Sequence, residues 1–266
     1  MSFLQTILEQ VNEENNFKIQ AMVSTFVTAL KHHENILISY STSIKQNKIC
    51  KFVEFILSSL IPVTITVENK TIGFNATKNN RKSTKSSYNI LITQNFDKIS
   101  YEYKNYMKPE ELENEVPYMK IAIVSEGSYL PKTALMSFMY HINISYLPED
   151  FSNIDAPFFQ TVESTELSSE EVFLHNDLIT YIGKLILSID CKPMLTSFIN
   201  AKIKIRLIDA VKDLAWLNDR NFVIPDDIQL MLPILFSHRF LLPGKTSFKI
   251  CLDFLHDYIS TVQVPI

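Results

Sequence analysis

Residues 35–39, Asn-Ile-Leu-Ile-Ser, form a short apolar run bounded by polar residues, and after a polar turn an amphipathic stripe (Ile49, Phe52, Val53, Ile56, Leu57, Leu60) follows at helical spacing. A continuous apolar run of this length suits a strand buried on both faces, and a strand buried on both faces needs helices to cover it. Comparable runs recur at 63–67, 87–93, 119–125 and 140–146, with helical stretches between several of them. This alternation predicts an α/β domain with a doubly wound parallel sheet, spanning 1–148. Ahead of the first strand, residues 1–34 read as two helices, the first carrying Phe3, Leu4, Ile7, Leu8 and Val11 and the second Ile19, Met22, Val23, Phe26, Val27 and Leu30.

The pattern then changes. Between Glu149 and Glu171 stand seven acidic residues and no Lys or Arg, without sustained periodicity, so 149–171 reads as an acidic linker. Beyond it the periodicity is purely helical: Leu178, Ile179, Ile182, Leu185, Ile186 and Ile189 share one face, a second helix covers 201–218, a third begins after Pro225-Asp226-Asp227, and a fourth covers 247–262. Residues 172–266 are therefore expected to form a helical domain.

Composition narrows the chemistry. The 266 residues contain only four glycines, with no two close enough for a phosphate-cradling loop, so neither GxGxxG nor GxxxxGK[ST] occurs. Three scattered cysteines exclude a zinc cluster and a disulfide framework and point to a reducing, cytoplasmic compartment. Glu9, Glu13 and Glu14 occupy the place of a basic signal-peptide start, and the apolar stretch 52–67 is broken by Glu54 and Pro62, so neither export nor membrane insertion is expected. Outside the acidic linker, 22 acidic residues face 25 basic ones, and the dense basic run 78–85 reads as a solvated loop rather than a nucleic-acid surface. His32, His33, His175 and His238 have no Cys or acid at ligand spacing and read as surface or capping residues; Trp216 reads as core.

The segment 214–239 (LAWLNDRNFVIPDDIQLMLPILFSHR) resembles the lid of MoxR-family AAA+ ATPases, in which a helix is followed by a Gly-Arg-Asp-Tyr-Val-x-Pro-Asp-Asp turn and a Pro-x-Leu-x-His-Arg ending. Pro225, Asp226, Asp227, Pro233, Leu235, His238 and Arg239 fall in place, and 173–182 resembles the first lid helix. The resemblance implies a P-loop NTPase core of AAA+ type, followed by a helical lid. It puts the phosphate loop at Tyr40, Lys45, Gln46 and Asn47, the magnesium and water-activating acids at Gln94 and Asn95, the sensor at Ser125 or Glu126, the arginine finger at Ser137 and the second sensor at Lys202.

At each of these positions the residue departs from the motif. Amides at 46 and 47 supply neither the ammonium that holds β- and γ-phosphates nor the hydroxyl that ligates Mg²⁺. Amides at 94 and 95 lack the charge and the basicity of the acids. The resemblance thus implies a degenerate, non-hydrolysing module with no cofactor, acting through protein partners such as von Willebrand A-type domain proteins or other AAA+ subunits. Two alternatives stand beside it: a divergent active ATPase in which Lys45 and Lys202 hold ATP and Mg²⁺, and an α/β-plus-helical binding protein unrelated to nucleotides.

Overall fold

The computed structural model describes residues 13–60, 63–69, 88–99, 118–147, 171–190, 201–239 and 248–265. The expected helix within 1–12, the basic run and nearly all of the acidic linker lie outside them. Within them, helix α1 (Glu13–His32) leads into strand β1 (Ile36–Tyr40), helix α2 (Gln46–Leu60), β2 (Val63–Asn69), β3 (Tyr88–Gln94), β4 (Tyr118–Ser125), the short α3 (Lys132–Leu135) and β5 (Tyr140–Ile144). Helices α4 (Asn176–Asp190), α5 (Ala201–Leu217), α6 (Pro225–Phe236) and α7 (Phe248–Thr261) follow.

The strands form one parallel sheet in the order β2-β3-β4-β1-β5. The side-chain period of two sorts each strand between two cores. Ile36 and Ile38 of β1, Ile90 and Ile92 of β3 and Ile121 and Ile123 of β4 face α1, α2 and the C-terminal helices. Leu37, Ala122 and Val124 face the opposite way, onto Phe96, Leu130, Ala134, Leu135 and Phe138. Both faces being covered explains why the strands read as unbroken apolar runs. The first strand runs one residue further than the apolar run, because Tyr40 still pairs with both Ser125 and Ile144. The fifth stops at Ile144, short of residue 146, where its carbonyl accepts the amide of Ser41 (3.1 Å).

The helical region packs back on the core along two seams. Along α1, Ser24 Oγ donates to the Ala210 carbonyl (3.1 Å), Thr28 Oγ1 donates to Asp213 Oδ2 (2.6 Å), and Lys31 pairs with the same buried Asp213. Lys31 also lies over the half-buried ring of Trp216, 5.9 Å from its centroid, so Trp216 edges the seam instead of filling the core. At the end of α1 the row continues with His32 to Asp209 (3.2 Å), Arg206 to Asp209 (2.9 Å) and Lys202 to Glu34 (2.8 Å).

The second seam covers edge strand β5. His238 Nε2 (3.1 Å) and Arg239 Nη2 (2.8 Å) both donate to the carbonyl of Phe138. His238 is therefore an interior residue, 1% exposed, and not the surface or capping group expected from sequence. Beside it the Ser39 hydroxyl donates to Asn143 Oδ1 (3.1 Å), so His141 Nε2 donates to Ser39 Oγ (2.8 Å) and its Nδ1 accepts the Ser237 hydroxyl (2.7 Å). Burial pushes His141 down to about 3, and burial followed by the neighbouring Arg239 charge pushes His238 well below its ordinary value.

The turn between α5 and α6 explains the Arg-x-x-x-x-Pro-Asp-Asp pattern. Arg220 grips buried Asp227 with both terminal nitrogens (2.9 and 2.6 Å), while the same carboxylate accepts the Ile224 amide (2.9 Å) and caps α6. Helix α5 ends in a Schellman arrangement, with the Arg220 amide on the Ala215 carbonyl and the Asp219 amide on that of Trp216. This forces Asp219 to φ 54°.

Two outcomes follow for stability. Glycine adopts a left-handed conformation without the Cβ penalty, so Asp219→Gly should stabilise the fold by about 0.5–1 kcal/mol in urea denaturation, contrary to the usual effect of adding a glycine. The folded pKa values of His141 and His238 lie below the unfolded value of 6.5, so the unfolded chain takes up protons the folded one refuses. The stabilisation from His141 is complete above pH 6.5 and is lost toward pH 3 at about 1.4 kcal/mol per pH unit, and that from His238 falls in the same direction. His141→Asn should reduce that slope between pH 6 and pH 4 by about one such increment, measured by urea titration at each pH.

Candidate functional site

In an open parallel sheet, ligands favour the carboxyl edge where successive connections leave in opposite directions. Here that point is the end of β1: the chain leaves β1 toward β2, whereas the connection from β4 passes beyond β1 to reach β5. The register brings Tyr40, Ser125 and Ile144 side by side at this edge, and Gln94 pairs with Ile123 two residues before the end of β4. Lys45, Gln46 and Asn47 follow as the loop turns into α2, and Asn95 follows β3. Of the residues singled out from sequence, Tyr40, Lys45, Gln46, Asn47, Gln94, Asn95 and Ser125, with Glu126 beside it, therefore share the carboxyl edge.

Lys202 is one exception. It pairs with Glu34, which precedes β1 at the opposite edge, and a five-residue strand separates the two edges by roughly 15 Å. Ser137 also lies at the far edge, where its carbonyl accepts the side-chain amide of Asn35 (3.4 Å).

The loop after β1 is closed by its own contacts. The Ser41 amide bonds to Ile144, the Ile44 amide to the Ser41 carbonyl (2.9 Å), and the Glu126 amide to the Tyr40 carbonyl (2.8 Å). Tyr40 and Ile44 lay half-buried side chains against the main core. Burial, then the Asp97 carboxylate, raises the Tyr40 phenol above its ordinary pKa. Gln46 reaches inward, and its Nε2 is buried with no hydrogen-bond partner among the described residues.

Gln94 is 7% exposed, and its amide donates to the Sγ of Cys50 on α2 (2.8 Å). Burial pushes the Cys50 thiol up to about 12, so it stays protonated. Asn95 occupies φ 53°, a left-handed conformation that Asn tolerates better than Glu, so the backbone alone accounts for the amide there. Ser125 Oγ, Ser128 Oγ and Asp97 form a chain of hydroxyls ending on a carboxylate (2.8 and 3.0 Å). Asp97, Ser128 and Cys50 were not recognisable in the sequence, since they lie outside the motif positions and meet only through the sheet register. No group of three or more His, Cys, Asp or Glu side chains among the described residues is arranged to hold a metal ion. No helix among them is long and apolar enough to cross a membrane.

Comparison with known proteins agrees with this geometry. Residues 203–247 match the AAA lid domain family. YeaC, an uncharacterized protein of Bacillus subtilis (strain 168), is 25% identical over 160 residues, which cover 53% of this chain and about half, 50%, of YeaC. A crystal structure of a proposed ATPase from Cytophaga hutchinsonii superposes with a TM-score of 0.60 at 14% identity, covering 99% of this chain and 97% of that one. The chain thus shares the fold of that structure, a parallel α/β core followed by helices, and its residues 203–247 are similar to an AAA lid domain.

The buried setting of Gln94 gives a test. A buried carboxylate there would face a protonated thiol in place of the amide's present contact. Gln94→Asp should therefore destabilise the protein by about 3 kcal/mol at pH 7, whether or not Mg²⁺ and ATP are present, as read by thermal and urea denaturation.

Proposed function

We propose that this protein is a MoxR-like AAA+ module that does not hydrolyse ATP and that acts as a scaffold or regulatory subunit in contact with other proteins. The observation that carries this reading is the engagement of Gln94 with Cys50, which turns the magnesium-side position of the motif into a packing contact. The residues at the edge do not suit a magnesium-bound triphosphate. Two loop amides are tied into the fold, Tyr40 and Ile44 pack across the loop, and Lys202 is held on Glu34 at the far edge. Loss of chemistry with retention of the fold is physically straightforward, because the fold needs only packing while hydrolysis needs particular side chains. Partners of von Willebrand A type, or other AAA+ subunits, are the protein classes this reading favours, in the cytoplasm and without nucleic acid.

Phosphate release tests the reading directly. Gln46→Lys restores the phosphate-binding ammonium but not the metal, the base or the arginine finger, so it should release no more phosphate than the parent protein. Release above the parent level would support the divergent active ATPase instead. Calorimetric titration with ATP, with and without Mg²⁺, should show no heat of binding for the parent, and light scattering should show no nucleotide-driven hexamer.

A further inference from the structure

Away from the sheet edge, α1, the end of α5, the start of α6 and α7 enclose a solvent-open cavity of about 490 Å³. This volume lies within the range of small-molecule sites. Its floor is aliphatic, formed by Leu214, Ile224 and Leu230. The polar groups around that floor are sorted by what they already bind. Asn218 Nδ2 donates to the Leu214 carbonyl (2.9 Å), and Gln229 Nε2 donates to the Tyr181 hydroxyl (3.4 Å), which leaves the carbonyl oxygens of both amides without a hydrogen bond among the described residues.

Charge in the cavity is sorted in the same way. Arg220 has both terminal nitrogens on Asp227, one of them also reaching the Phe222 carbonyl (3.3 Å), and Asp227 is further occupied by the Ile224 amide. That pair is mutually neutralised. Asp226 remains, exposed and without an ion-pair partner among the described residues. Gln20 and His256 complete the lining, and although Arg220 also feels the Asp226 charge, one guanidinium against two carboxylates leaves the cavity with one negative charge in excess over an aliphatic floor.

We propose that this cavity binds an aliphatic cation, an ammonium or guanidinium whose charged head meets Asp226 and the oxygens of Asn218 and Gln229 while its hydrocarbon stem lies on Leu214, Ile224 and Leu230. Such a group comes either as a free diamine or as a Lys or Arg side chain of a partner polypeptide. The helix α6 N-terminus would by itself favour an anion, but the Asp226 and Asp227 carboxylates already occupy its first turn. The proposal does not depend on whether the sheet edge binds nucleotide.

The experiment follows the side-chain amide resonances of Asn218 and Gln229 in the full-length ¹⁵N-labelled protein. Cadaverine and N-acetyl-Ala-Lys-Ala-amide are the cationic probes, pentanoate is the anionic probe, and ammonium chloride is the cation without a stem. Both stemmed cations should shift these amides saturably in the millimolar range or below, and Asp226→Asn should weaken both by about fivefold or more. Tighter binding of the tripeptide than of cadaverine identifies a partner's side chain as the source, and the reverse identifies a free amine. The proposal fails if neither stemmed cation shifts the amides, if ammonium or pentanoate does so equally well, or if Asp226→Asn leaves the titrations unchanged.

Discussion

The backbone carbonyl of Phe138 accepts two donors from the lid, the His238 imidazole and the Arg239 guanidinium, and both donors are buried. The ring of the same residue fills the second face of the sheet, edge-on to Phe96 with centroids 5.5 Å apart. One residue thus ties together the sheet face opposite α1, the entry into edge strand β5 and the orientation of the lid. Among the described residues Arg239 hydrogen-bonds the carbonyls of Leu235 and Phe138 and the sulfur of Met139, and burial lowers it to about 10. A buried guanidinium is tolerated only while those carbonyls stay in place, so the connection between α3 and β5 helps to set how the lid meets the sheet. The charge row between α1 and α5 is mostly half-exposed and contributes less per pair; its strongest member is Lys31 with the buried Asp213.

Two positions in the left-handed region show how the same backbone demand is met differently. At 95 the chain uses Asn, and at 219 it uses Asp in a Schellman turn where the resembled motif has Gly. In both places the local conformation, and not the chemistry of a ligand, is sufficient to explain why a small polar residue stands there. The amide at 94 is likewise explained by its contact with Cys50. An edge built for packing and turn geometry in this way is consistent with a fold kept for its shape.

The sheet was legible in the sequence because a strand covered on both faces leaves no room for polar residues except at its ends, and the runs at 36–38 and 121–124 obey that rule. The lid was legible because Pro225, Asp226 and Asp227 carry a physical helix-start signal in addition to a resemblance. His141 was hidden for the opposite reason. It interrupts an apolar strand, and its partners Ser39 and Ser237 lie about a hundred residues away on either side, so no local pattern reports the bond. The surroundings of Lys202 were not legible because motif order carries no information about which edge of the sheet a lid helix will meet. Its position is set by Glu34, an acid with no motif meaning.

The central position of β1 has a consequence for how the protein is made. Both strands that flank it come from residues 118–144, and the residue that anchors α1 through Thr28 lies 185 positions downstream. A chain emerging from the ribosome therefore holds β1 without its neighbours until residues 118–144 have been made, and its first described helix waits longer still. High sequence separation of this kind slows folding and leaves strand edges open to the wrong partners. The nascent protein is thus most vulnerable to aggregation after β1 has emerged and before β4 and β5 follow, well before Asp213 is available to close the structure.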